Sequence, residues 1–153
     1  MRGTYTQLYV HLVWATWDRL PLVTPDLEPE IYAVLIAKCK ALKGTAIAVG
    51  GIMDHVHVLT RFHTTVTIAD LAHDLKGSSS HCVTHELQPG RFFKWQGGYG
   101  AFTVSKADVP RVKAYVLDQK KHHAQQTLWH EWEICQWPED DIDSDRPAQA
   151  SSA

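Results

Sequence analysis

The stretch IMDHVHVLTRF, residues 52–62, carries two histidines one residue apart in an otherwise apolar run. Its apolar composition and the turn-like Met53-Asp54 before the first histidine predict a β-strand. Side chains two residues apart on a strand point to the same face and lie about 6.5–7 Å apart. We therefore expect His55 and His57 to project side by side, with Val56 and Val58 facing the core. Two neutral imidazoles form half of a metal site, but two surface histidines on a half-exposed strand would show the same spacing.

The segments around this strand follow a βαββαβα order. Periodicity and turn residues predict strands over 6–14, 45–51 and 55–62, a strand or irregular hairpin over 90–105, and helices over 30–44, 67–87 and 105 to about 123. The first six elements match the split βαβ, ferredoxin-like arrangement. We therefore predict an α+β fold with an antiparallel sheet, helices on one face, and an additional C-terminal helix.

The last predicted helix carries a second candidate group. Ser105 and Asp108 form a capping-box pattern at its start. Tyr115 and Gln119 are four residues apart, so they share one face, which His122 extends. A tyrosine can act as a covalent nucleophile, and a glutamine can supply an oxygen ligand beside it. The alternative is a core tyrosine whose hydroxyl bonds to Gln119 or to water.

Size and composition indicate an ordinary globular domain of 153 residues. Residues 1–127 hold 14 Lys and Arg against 10 Asp and Glu, whereas residues 128–153 hold one Arg and seven acidic residues. The body is therefore mildly basic, and the tail is acidic and expected to be disordered from about Pro138 onward. The N-terminus lacks the pattern of a signal peptide, which predicts a cytoplasmic protein. No apolar run approaches the about 20 residues of a membrane span, so none is expected. The sequence has no CxxC pair, and its cysteines are expected to be free thiols.

Several segments in order resemble a known family. DHVHVL resembles the His-hydrophobic-His motif of the single-tyrosine HUH transposases, which include the insertion-sequence 200-like and REP-associated tyrosine transposases. LAHDLKGSSS, FFKWQGGYGAFTVS and YVLDQKKHH are similar to further segments of that family, the last to its Tyr-x-x-x-Gln nucleophile helix. About 60 residues separate the two motifs. Each segment alone is weak evidence, but the ordered set is specific.

The resemblance implies a site and a reaction. His55, His57 and Gln119 would bind Mg²⁺ or Mn²⁺, with His122 or His123 as alternatives to Gln119. Tyr115 would attack a phosphodiester of single-stranded DNA and form a 5′-phosphotyrosine and a free 3′-OH. A second strand transfer would rejoin the DNA. The family also implies homodimers and DNA that carries hairpins, with the active site assembled within one subunit or across two.

Other residues are candidates for DNA contact or for orienting a ligand. The basic and aromatic residues that could contact phosphates or stack on bases are Arg61, Lys76, Arg91, Lys94, Trp95, Tyr99 and Lys120. The alternative is that the basic side chains are only solvated and that the aromatic ones lie in the core or in a dimer interface. Asp54 can orient a ligand histidine or cap the turn. Two other functions stay open: a non-catalytic DNA-hairpin-binding protein that keeps the fold, and an unrelated metal-dependent hydrolase of small phosphoesters.

Overall fold

The computed structural model describes residues 3–135. Its strands are β1 (Tyr9–Ala15), β2 (Thr45–Ile52), β3 (His55–Arg61) and β4 (Gly100–Val104). Its α-helices are α1 (Glu28–Ala41), α2 (Ile68–His81), α3 (Val109–Leu117) and α4 (Gln119–Gln125). A π-helical turn, Cys82–Leu87, extends α2, and short 3₁₀ turns cover Trp17–Arg19, Lys106–Asp108 and His130–Glu133. Among these helices, none has the length and apolar character needed to cross a bilayer.

The four strands form one antiparallel sheet in the order β2-β3-β1-β4. This is the strand order of a ferredoxin-like split βαβ fold, so the predicted fold class is confirmed. The strand with both histidines lies in the interior of the sheet, between β2 and β1. Its register places His57 opposite Val13 of β1 and opposite Gly50 of β2. Hydrogen bonds on both sides therefore fix the backbone that carries the two rings.

The two faces of the sheet bury different side chains. Helices α1 and α2 cover one face, where Val56 and Val58 pack with Leu12 and Trp14 in the larger core. Helix α3 covers the opposite face, which carries both histidines of β3. The predicted alternation of β3 is therefore confirmed. His55 and His57 are 1% and 0% exposed, which excludes the alternative of two surface histidines.

Glycine at position 50 sets how closely α3 approaches the sheet. A Cβ at Gly50 would lie 1.9 Å from the carbonyl oxygen of Val116. Only glycine allows this contact, because real Cβ atoms are not found so close to backbone oxygen. Since Gly50 pairs with His57, the contact holds the end of α3, with Tyr115, beside the second histidine.

The last helix and the tail differ from the prediction. The helix expected up to about His123 is broken at Asp118 into α3 and α4. The Ser105 side chain bonds to the Asp108 carboxylate and caps no backbone N–H, so that predicted capping box is wrong. By contrast, Thr67 Oγ1 accepts the backbone N–H of Asp70 and so caps the start of α2. The tail expected to be disordered from Pro138 lies outside the described residues, but residues 128–135 of the acidic segment fold onto the sheet.

We expect Gly50→Ala to destabilise the protein by about 1–3 kcal/mol, because the added methyl group overlaps a backbone carbonyl. Urea unfolding measures this change. The matched control is Gly77→Ala in α2, where a Cβ would meet no atom within 4 Å. That variant should gain about 0.5–1 kcal/mol, since glycine disfavours a helix interior. Equal stability of both variants would contradict the close-contact role of Gly50.

Candidate metal and nucleophile site

The two β3 histidines converge on one carboxylate. His55 Nε2 lies 3.1 Å and His57 Nε2 lies 3.2 Å from Oε2 of Glu133, which belongs to the 3₁₀ turn after α4. One ligand atom from each of these three residues lies within 4.8 Å of the others, as a single bound cation requires. Two imidazole nitrogens and a carboxylate oxygen are a donor set that divalent cations accept.

Both imidazoles are oriented through their second ring nitrogen. His55 Nδ1 lies 2.6 Å from Oδ1 of Asp54, so the expected orienting role of Asp54 matches the geometry. His57 Nδ1 lies 2.8 Å from Nε2 of His11, a buried residue of β1. In the absence of a cation, an Nε2–H can donate to the Glu133 carboxylate, whereas a proton kept on Nδ1 alone would free the Nε2 lone pair for a cation. Such outer contacts fix the tautomer and the ring orientation of histidine ligands.

The phenol of Tyr115 reaches the same carboxylate. Its hydroxyl donates to Oε1 of Glu133 and accepts the backbone N–H of Trp129 at 3.2 Å. The Tyr115 ring lies edge-on to His57, with the centroids 5.9 Å apart. Glu133 therefore faces the histidine pair with one oxygen and the phenol with the other, all within one chain.

The three other expected ligands have different positions. His123 Nε2 lies 3.2 Å from His55 Nε2 and 3.2 Å from Oε1 of Gln119, so both side chains border the cluster. Gln119 also donates to the Tyr115 carbonyl. The His122 ring stacks on the outer side of Tyr115 and bonds to Thr127, away from the histidine pair.

Burial and neighbouring charges shift the pKa values of the cluster. Burial lowers the pKa of His55, but its hydrogen bonds with Asp54 and Glu133 outweigh this and raise it to about 8. Burial keeps the pKa of His57 below its usual value. Although burial opposes it, bonding to both histidines holds the pKa of Glu133 far below the ordinary range. Burial and the Glu133 carboxylate raise the pKa of Tyr115 to about 12. The metal-free site therefore holds an ionised carboxylate and a protonated phenol at neutral pH.

Residues 127–135, which we call the C-terminal segment, cover this cluster. The Trp132 ring packs edge-on against both His11 and Tyr115, and Trp129 stacks on Trp132. Tyr115 is only 3% exposed as a result. A large substrate therefore reaches the phenol only after Trp129 and Trp132 shift.

Comparison with known proteins agrees with this geometry. The family model described as "Transposase IS200 like" matches residues 4–119, about three quarters of the chain. The chain belongs to this family. A crystal structure of a candidate transposase from Deinococcus radiodurans R1 is similar, with 25% identity, a TM-score of 0.60, and coverage of 76% of this chain and 93% of that one. A REP-associated tyrosine transposase bound to a REP hairpin shares the fold, with 10% identity, a TM-score of 0.58, and coverage of 84% and 76%. The search of curated proteins gave no match.

The residues of this transposase that were expected to contact DNA fall into two groups. Lys76, Lys94, Trp95 and Tyr99 line a cleft between α2 and the loop before β4. The Trp95 ring is itself buried against Trp14. The second group lies elsewhere on the surface. Arg61 donates to the Thr6 carbonyl, Arg91 donates to Gln88, and Lys120 forms an ion pair with Glu28.

Sequence reasoning missed Glu133 and His11. Glu133 lies in the acidic region that composition assigned to a tail, and the family match ends at Gln119, before it. No local pattern marks it, because its position depends on how residues 127–135 fold back. His11 carried a signal, since the alternation of β1 places it on the face opposite Leu12 and Trp14. Only the pairing of β1 with β3 shows that this is also the face of His57.

We expect the metal-free transposase to lose about 2 kcal/mol of stability as pH rises from 6.5 through about 8. The pKa of His55 is higher in the folded than in the unfolded chain. Its stabilising proton is therefore fully bound below pH 6.5 and lost as pH passes the folded value. Urea unfolding midpoints, recorded in EDTA across this pH range, measure the slope of stability against pH. Glu133→Gln should flatten it, and an unchanged slope in that variant would show that the carboxylate does not hold the His55 proton.

Proposed function

We propose that this transposase is a metal-dependent endonuclease and strand transferase of single-stranded DNA, with Tyr115 as the nucleophile. One observation carries the proposal: the phenol and both β3 imidazoles meet at the Glu133 carboxylate within one chain. A structural tyrosine needs no such neighbours. A cation site beside a nucleophile that attacks a phosphodiester stabilises the charge on the non-bridging oxygens.

The donor set fits a divalent cation. His55, His57 and Glu133 would hold it, and Gln119 remains a proposed further oxygen ligand because its Oε1 borders the cluster through His123. Magnesium prefers carboxylate and water ligands, whereas manganese also accepts imidazole. We therefore propose Mg²⁺ or Mn²⁺, with Mn²⁺ the more effective of the two.

The proposed reaction is a displacement at phosphorus. The Tyr115 oxygen bonds to the phosphorus of a DNA phosphodiester, and the bond from phosphorus to the 3′ oxygen breaks. The phenol proton passes to Oε1 of Glu133, its present hydrogen-bond acceptor. The leaving 3′ oxygen takes up the proton carried by Glu133, so the products are a 5′-phosphotyrosine, a strand with a free 3′-OH and an ionised Glu133. A bound cation would supply positive charge to the non-bridging oxygens under attack. A later 3′-OH can displace the phenolate, because an aryl oxide leaves more easily than an alkoxide.

The substrate and the assembly are proposed from the structural neighbour and from the family resemblance. One structural neighbour was solved with a REP hairpin, which supports DNA that carries hairpins as the substrate. Homodimer formation is proposed from the family resemblance, although Tyr115 meets the histidine pair of its own chain. The DNA substrate also supports the expected cytoplasmic location.

A non-catalytic hairpin-binding protein is the second candidate. The observation in its favour is the C-terminal segment, which leaves Tyr115 only 3% exposed. Hairpin binding without any covalent product, in either Mg²⁺ or Mn²⁺, would support this alternative. The intact set of Tyr115, both histidines and Glu133 favours the enzyme.

With Mn²⁺, we expect the wild-type protein to attach covalently to the 3′-end-labelled fragment of single strands that carry a hairpin. Tyr115→Phe should reduce the rate of adduct formation by at least about 1,000-fold, because no nucleophile remains. Denaturing gels measure the shifted label. Tyr9→Phe is the matched control, since it removes a phenol outside the site. An adduct that persists in Tyr115→Phe would rule out this nucleophile.

We expect His57→Ala to weaken Mn²⁺ binding by more than about tenfold, because one of few ligands is lost. The paramagnetic resonance signal of free Mn²⁺ measures binding without any DNA. Glu133→Gln and Gln119→Ala, titrated in the same way, identify the oxygen ligand. The control is His73→Gln on the exposed surface of α2. Unchanged Mn²⁺ affinity in His57→Ala would contradict a metal site at the histidine pair.

A further inference from the structure

A cleft between α2 and residues 93–99 lies outside the metal site and has no role in the proposed chemistry. It has a volume of about 550 Å³ and opens to solvent along one side. This volume lies within the range of about 300–1,000 Å³ typical of ligand sites. We propose that this cleft binds an unpaired nucleotide of the DNA strand, as a subsite distinct from the metal centre. This inference rests on the proposed function.

The lining has the two features that a single-stranded nucleotide requires. Trp17 presents a ring that is 45% exposed, and the ammonium of Lys94 lies 4.0 Å from its centre. A base that stacks on the ring takes the place of the ammonium, which then lies beside the phosphate of that nucleotide. Base stacking on aromatic rings next to cations is the general mode of single-strand binding. Lysines and histidine line the cleft without any carboxylate among the described lining residues, so an anion is favoured.

A helix-interior glycine supplies an independent observation. Gly77 lies in the middle of α2, where glycine costs stability, and it faces the cleft. A Cβ at this position would meet no atom within 4 Å, so no packing within the described chain requires glycine. Glycine in such a place lets a ligand approach the backbone closely. Gly50 differs from Gly77, because the neighbouring carbonyl of Val116 explains why glycine is needed at position 50.

The walls of the cleft are held in place by the chain itself. Lys76 Nζ donates to the carbonyls of Gln96 and Gly98 at 2.7 and 2.9 Å, which fixes the loop against α2. The backbone N–H of Trp17 donates to the Lys94 carbonyl. The cleft is therefore formed before any ligand binds.

The cleft and the metal site lie at the same end of β1. Ala15, the last residue of β1, pairs with His55, and the next residue, Thr16, donates its backbone N–H to the Asp54 carbonyl. Trp17 follows directly. A strand whose phosphodiester lies at the histidine pair can therefore place a neighbouring unpaired nucleotide in the cleft. The second cavity, near Tyr32, is less suited because Glu28 and Asp118 line it.

The test measures binding without metal, so that it is independent of cleavage. Anisotropy of a labelled single strand of mixed sequence, and of the matching duplex, is recorded in EDTA. We expect Trp17→Ala to weaken single-strand binding about tenfold, with Trp17→Phe keeping most of it, because stacking needs an aromatic face. Lys94→Ala should make the slope of log K against log salt concentration shallower by about 0.7. This is the value for one lost phosphate contact on a single strand. Duplex binding should not change.

A cleft-filling variant separates binding from folding. Gly77→Leu should be at least as stable as wild type, because the site is open and leucine favours a helix. It should nevertheless weaken single-strand binding at least fivefold. The controls are Ala37→Leu and Lys40→Ala on the exposed surface of α1, which should bind as wild type.

Three results would overturn the proposal. One is a folded Gly77→Leu that binds the single strand as tightly as wild type. Another is an equal loss of single-strand and duplex binding in the Trp17 and Gly77 variants. A wild-type protein that does not prefer the single strand would also contradict it. Covalent trapping through Tyr115 is scored separately, so failure of the cleft proposal leaves the cleavage proposal standing, and the reverse also holds.

Discussion

The candidate site depends on the contact between the Glu133 carboxylate and the two Nε2 atoms of the β3 histidines. Two buried imidazoles and a phenol on one sheet face need a polar partner, because unpaired polar groups in a core are costly. Without metal, Glu133 supplies that partner and holds a proton on His55. The same three groups could hold a divalent cation. One arrangement of side chains therefore stabilises the fold by itself and offers donor atoms to a cation.

The sheet makes this arrangement compatible with a stable fold. One face is an apolar core under α1 and α2, and the opposite face carries the polar cluster under α3 and the C-terminal segment. The alternation of β3 separates the two, since each valine points away from each histidine. The larger core can therefore stabilise the domain without involving the residues that carry chemistry. The tight approach at Gly50 then fixes α3, and with it Tyr115, against the polar face.

Trp129 and Trp132 cover the Tyr115 phenol, so in the proposed reaction DNA would compete with these two side chains for one surface, while Glu133 would stay beside the phenol. The cleft beside Trp17 lies outside this competition, on the α2 side of the same strand end. Initial binding of an unpaired nucleotide there would not require the segment to move. Binding and chemistry are thus physically separable in this chain, and they can be measured separately.

Local pattern determined the strands, most of the helices, the shared face of His55 and His57, and the shared face of Tyr115 and Gln119. These features follow from periodicities of two and 3.6 residues, which the chain carries in its order of apolar and polar residues. The break at Asp118, the partnership of His11 with His57, and the position of Glu133 were decided by tertiary structure. The last two depend on contacts between segments distant along the chain, and Glu133 reaches His57 across 76 residues. No local periodicity encodes such a meeting, because the register of the sheet and the return path of residues 127–135 determine it.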